Sequence, residues 1–131
     1  MINIKSTIKK ELYRVELIAD SGNTIIADEP VEKGGGDTGF APQELLAASL
    51  TACTSITLKM YAVRKGWDIG NTEVAVSHEW NAETKSTAVS LNIKFDENLD
   101  EVQRSRLQLV ANSCPVHKIL SNPIAITTNI F

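Results

Sequence analysis

Cys53 and Cys114 are the only thiols in the 131-residue chain, and the setting of each bears on its reactivity. Cys114 directly precedes Pro115 and is predicted at the N-cap of a short helical turn. Free N–H groups and the helix dipole stabilise a thiolate there. His117, three residues on, is placed to add positive charge or accept a proton. Cys53 lies within a long uncharged run, where a free cysteine behaves by default as a small buried hydrophobe. The nearest carboxylate upstream of it is Glu44, nine residues earlier. On one helix that is two and a half turns, or roughly 13 Å along the axis, and on the opposite side. A bend, a water or a partner chain is needed to bring that carboxylate to the thiol. Cys53, Cys114, His117 and His78 include the side chains zinc prefers, but no second ligand pair accompanies Cys114-x-x-His117. No metal and no cofactor are expected.

The segment that positions Cys53 runs from Ala41 to Lys65. Pro42 suits a first helical turn. Arg64 and Lys65 complement the negative end of the helix dipole, and Gly66 provides a stop. Between Leu45 and Leu58 there is no charge, and apolar or small side chains point in every direction. A helix of that kind requires cover on all sides. Ahead of it, Gly34 to Gly39 forms a glycine loop that is either a flexible connector or a backbone shaped for close approach. It lacks the Gly-Lys-Ser/Thr ending of a phosphate cradle, and Glu44 stands where a phosphate would sit.

Three strands are predicted before the loop: Asn3 to Ile8, Leu12 to Ala19 and Thr24 to Asp28, with a turn at Ser21-Gly22-Asn23. After the long helix, Glu73 to Trp80 and Thr87 to Phe95 alternate as a hairpin around Asn81 to Lys85. Asp100 to Asn112 is predicted as a second helix, Val116 to Leu120 as a further helical turn, and Ile124 to Ile130 as a closing strand. The fold class is therefore α+β, in the order β-β-β-α-β-β-α-β. One sheet covers only one side of the long helix, so an intertwined homodimer with central helices flanked by antiparallel sheets is expected.

The chain is long enough for a single domain spanning 1–131 with its own core. Its net charge of −3 and absence of a basic stripe argue against nucleic acid as a partner. The charged and alternating first twenty residues do not read as a signal peptide. The uncharged helical run is shorter than the ~20 residues that span a bilayer. A cytoplasmic protein with reduced thiols and no membrane partner is the expectation.

The run Asp37-Thr38-Gly39-Phe40-Ala41-Pro42-Gln43-Glu44-Leu45-Leu46-Ala47-Ala48-Ser49-Leu50-Thr51-Ala52-Cys53, then Arg64-Lys65-Gly66-Trp67 and Cys114-Pro115-Val116-His117-Lys118, resembles the OsmC/Ohr family. These are the osmotically inducible and organic-hydroperoxide-resistance proteins. The resemblance extends over nearly the whole chain and implies a single OsmC-like domain in a swapped homodimer with sites at the subunit interface. It further implies reduction of small organic hydroperoxides by thiols. Cys53 would be the peroxidatic thiol that becomes a sulfenic acid, and Cys114 the resolving thiol that condenses with it. A dithiol reductant would restore the pair. The family glutamate ten positions upstream of the peroxidatic thiol is Gln43 here, with Glu44 the adjacent carboxylate and candidate for its role. The alternative function is a non-catalytic dimeric binding protein for an apolar ligand, with structural or regulatory thiols.

Overall fold

The computed structural model describes residues 1–131. The chain is an α+β fold made of two compact units, Met1–Leu46 and Ala47–Phe131, with the boundary inside the long helix.

The first unit contains a three-stranded antiparallel sheet of β1 (Ile4–Ile8), β2 (Val15–Ala19) and β3 (Thr24–Ala27), in that order. Ile4 pairs with Ala19 and Ile8 with Val15; on the other side of β2, Val15 pairs with Ala27 and Ile18 with Thr24. The β2–β3 turn closes with Gly22 N–H donating to the Ala19 carbonyl at 2.9 Å. β2 begins three residues later than its alternation predicts. Tyr13 adopts a positive φ of 71°, and such a conformation interrupts a ladder.

The glycine loop is shaped around its own unit. Asp28 is buried at 2% exposure, and its carboxylate accepts from Glu29 N–H (2.8 Å), Thr38 N–H (3.2 Å) and the Thr38 hydroxyl (2.6 Å). A Cβ at Gly35 would overlap the Glu29 carbonyl, and one at Gly39 would overlap the Ile26 carbonyl. Both glycines are therefore required by close approach of the loop to the preceding strand. Phe40 completes the wrap, its carbonyl accepting from Asp28 N–H at 3.1 Å.

The long helix, α1, is Pro42–Lys65. Pro42 occupies its first position, and the Glu44 carboxylate accepts from Ala41 N–H at 2.9 Å, one half of a capping box. Only one stripe of α1 is buried: Leu50, Thr54, Leu58 and Ala62, each one turn from the next. Leu46, Ile56, Met60 and Val63 are each at least half exposed. Burial on every side, expected from the composition, is thus not reached within one chain. The helix has the length and mean hydropathy to cross a bilayer, contrary to the estimate from its uncharged run, although it carries Lys59 and its buried stripe lines a folded core.

The second unit gathers that core. Leu58 and Ala62 of α1 pack with Ile69 and with Leu107, Val110 and Ala111 of α2 (Glu101–Ala111). Val74, Ile93 and Phe95 close it from the hairpin of β4 (Thr72–Asn81) and β5 (Ser86–Phe95), in which Val74 pairs with Ile93. The hairpin turn is held by the Asn81 carboxamide, which accepts from Glu83 and Thr84 N–H. α2 starts on a full capping box: Asp100 accepts from Gln103 N–H at 2.7 Å, and the Gln103 side chain accepts from Asp100 N–H at 3.1 Å.

The closing strand predicted at Ile124 to Ile130 is absent. After α3 (Pro115–Leu120) the chain is exposed and carries no regular structure. An apolar, β-branched segment becomes a strand only when a sheet edge accepts its N–H and C=O groups, and no edge of this chain does so. The observed order is β-β-β-α-β-β-α-α, in two separate antiparallel sheets.

Candidate active site

Cys53 and Cys114, 61 positions apart in sequence, come near enough in the second unit for each thiol to act on the ionisation of the other. Cys53 sits on α1 and is half-buried, whereas Cys114 has no exposed surface. Cys114 is the N-cap of α3, with Pro115 at the first helical position, as the Cys-Pro pair predicts. Its sulfur accepts from His117 N–H at 3.4 Å. The contribution of His117 is thus its backbone. Its ring lies against the Ser121 hydroxyl, with Nδ1 at 3.5 Å, and does not reach the sulfur.

The environment acts on the two thiols in opposite directions. Burial pushes the Cys53 thiol up, and the neighbouring Cys114 thiol raises it further, against opposing contributions from Val116 N–H and the Thr57 hydroxyl. Burial also opposes ionisation of Cys114. There the His117 N–H bond and the nearby Cys53 thiol, Val116 N–H and Thr54 hydroxyl together outweigh it and bring the thiol below its ordinary value. Of the two thiols, Cys114 is the more readily ionised.

Thr54 and Thr57 escaped the sequence reading. Four hydroxyls lie on this part of α1, and two are absorbed by the helix itself: Thr51 donates to the Ala47 carbonyl and Ser55 to the Thr51 carbonyl, both at 2.8 Å. Thr54 is wholly buried, and its hydroxyl has no partner at hydrogen-bond length, yet it lies near enough to Cys114 to favour the thiolate. Thr57 stands one turn after Cys53 and favours its charged form in the same way. The detectable signal was the presence of hydroxyls on an otherwise apolar helix, one turn from the cysteine.

Neither thiol has an ionic partner. Arg106 is engaged elsewhere, its Nε donating to the Tyr61 hydroxyl at 2.8 Å. Glu44 is held at the start of its own helix, nine residues before Cys53. No three His, Cys, Asp or Glu side chains converge as metal ligands. A groove of about 550 Å³ runs along the exposed side of α1, floored by Ile56, Met60 and Val63 and flanked by Lys59 and Arg64.

The arrangement sets a partly exposed thiol on α1 near a buried one at the start of α3. Residues 34–129 match the model of the OsmC-like protein family. Among solved structures, the chain is 31% identical to an osmotic stress induced and detoxification response protein from Psychrobacter arcticus 273-4. That likeness covers 91% of this chain and 88% of the other, with a TM-score of 0.77. An OsmC-like protein from Mycoplasma pneumoniae is 20% identical over 92% and 87% of the two chains, with a TM-score of 0.76. The organic hydroperoxide resistance protein OhrB of Bacillus subtilis is 21% identical over 91% and 89%, with a TM-score of 0.61. No curated protein sequence matches the chain. The two-cysteine site, the α+β fold and these matches agree: the chain belongs to the OsmC-like family.

Proposed function

We propose that the protein is a thiol-dependent peroxidase that reduces small organic hydroperoxides through Cys53 and Cys114, in oxidative-stress defence. The observation that carries this reading is the approach of two thiols distant in sequence, one partly exposed and one buried. Exposure supports the following roles. Cys53 is open to a substrate and attacks the peroxide O–O bond, leaving a sulfenic acid and releasing an alcohol. Cys114, shielded from solvent, condenses with that sulfenic acid to a disulfide and releases water. A dithiol reductant then exchanges with the disulfide and restores both thiols. The apolar groove beside Ile56 and Met60 suits an alkyl substituent on the peroxide. The organic hydroperoxide resistance proteins of Bacillus subtilis and Elizabethkingia anophelis share the fold, which agrees with this substrate class.

The working form in this reading is a cytoplasmic homodimer of single OsmC-like domains. It is supported by the exposed apolar side of α1 and by the unpaired apolar tail, in which Ile126, Ile130 and Phe131 are each more than four-fifths exposed. Glu44 would reach the thiols only through a second copy, its own carboxylate being held by Ala41.

The groove also favours a second reading, a dimeric protein that holds an apolar ligand without turning it over. Consumption of cumene hydroperoxide, tert-butyl hydroperoxide and hydrogen peroxide, measured with several dithiol donors, separates the two. Turnover of the organic peroxides that disappears in Cys53→Ser supports the peroxidase. Full retention of both thiols under excess peroxide supports the binding protein.

A further inference from the structure

The buried sulfur of the pair also starts a helix. α3 is six residues long and buries none of them. A helix that short is unstable in water by itself, so α3 depends on what holds its ends. At its C-terminal end the Ser121 hydroxyl donates to the His117 carbonyl at 2.7 Å, and Asn122 N–H donates to the Ile119 carbonyl at 3.2 Å. At its N-terminal end Pro115 has no N–H to give, and the His117 N–H is met by the Cys114 sulfur at 3.4 Å. Cys114 has no exposed surface, so solvent does not compete for that sulfur. Beyond α3 the chain from Ser121 to Phe131 forms neither helix nor strand and is exposed throughout.

We propose that the Cys114 sulfur couples the oxidation state of the thiol pair to the order of residues 115–131: reduced, it caps α3, and in a disulfide it releases the cap. The coupling rests on the peroxidase reading for its oxidant, an organic hydroperoxide. The O–O bond breaks and a Cys53 S–O bond forms, giving a sulfenic acid and an alcohol. A Cys53–Cys114 S–S bond then replaces the S–O bond, and the hydroxyl leaves as water with the Cys114 proton. Two electrons have passed from the sulfurs to the peroxide. The Cys114 sulfur can no longer carry a negative charge, and a covalent bond to α1 fixes its direction. A neutral disulfide sulfur accepts a hydrogen bond more weakly than a thiolate, so the His117 N–H loses its partner. Exchange with a dithiol breaks the S–S bond and restores the cap. The segment that gains freedom on oxidation is apolar: Ile119, Ile124, Ile126, Ile130 and Phe131 are each more than half exposed.

Amide exchange followed by NMR, with the amides of α2 as internal reference, reads the cap separately from turnover. In the reduced protein, Cys114→Ala is expected to speed exchange at His117 and Lys118 about fivefold, the size of a typical lost N-cap. Cys114→Ser keeps a good capping oxygen and exchanges no faster than wild type. Wild type oxidised with diamide, its Cys53–Cys114 crosslink verified by peptide mapping, should show the same acceleration and recover with dithiothreitol, whereas Cys114→Ser should not respond. Unchanged exchange at His117 and Lys118 in the crosslinked wild type, or in reduced Cys114→Ala, would overturn the proposal and leave the peroxidase reading intact. If diamide forms the crosslink with faster exchange but cumene hydroperoxide leaves both thiols free, the coupling stands and only the peroxidase reading is lost. Failure of both oxidants to join the two cysteines would overturn both.

Discussion

The molecule holds two sheltered acids with several hydrogen-bond donors each, and they are built for opposite ends. Asp28 in the first unit accepts from two backbone N–H groups and a hydroxyl, all three from its own loop. Its charge is met by permanent neighbours, and the carboxyl sits below the usual range chiefly through the Thr38 hydroxyl. In the second unit Cys114 also has N–H donors, but one of its partners is another acid, Cys53. That partner is itself an ionisable thiol, and it is partly exposed. The difference teaches that shelter and donors alone make a structural anchor. Chemistry requires in addition a reactive neighbour that a substrate can reach.

Replacing Cys53 by Ser should break the comparison most completely, abolishing hydroperoxide consumption in the coupled assay while thermal stability changes little at this half-buried position. Leu58, five residues after Cys53 on the same helix, has no exposed surface. Leu58→Ala should lower unfolding stability in urea by about 2–5 kcal/mol and loosen the packing that seats Cys53.

A smaller effect is expected from Thr57→Val, which removes a hydroxyl that favours the Cys53 thiolate. Iodoacetamide labelling of Cys53 should then require higher pH, whereas Asp28-dependent properties remain untouched. The smallest effect belongs to the loop. A carboxyl whose value falls on folding adds stability above its ordinary value of 3.8, and that contribution is lost as pH drops through the still lower folded value. Amide exchange at Gly36 to Thr38 should therefore accelerate, relative to the sheet, only in strong acid. Acceleration near neutral pH would show that the anchor is not Asp28.

Much of this arrangement was legible in the amino-acid sequence wherever the cause is local. Cys114 ahead of Pro115 announced its cap, and the second helix was placed from Asp100, which is the N-cap of α2. The Asp28 anchor was not legible, because its partner Thr38 lies ten residues on and a turn of glycines decides whether they meet. Nor was the role of Thr54. Its place on α1 indicates the face it shares with Leu58, but not that the sulfur of Cys114 packs nearby. The tail from Ile124 to Ile130 has the composition of a strand, yet composition does not supply the sheet edge that a strand needs. For Cys53 and Cys114, their respective roles came from family resemblance and not from local chemistry.

The most direct measurement is oxidation of the fully reduced protein with one equivalent of cumene hydroperoxide, followed by peptide mapping without reductant. The account predicts loss of both thiols and recovery of a single crosslinked species joining the Cys53 and Cys114 peptides. Recovery of both thiols unmodified, or of a stable sulfenic acid on Cys53 beside an untouched Cys114, would contradict it.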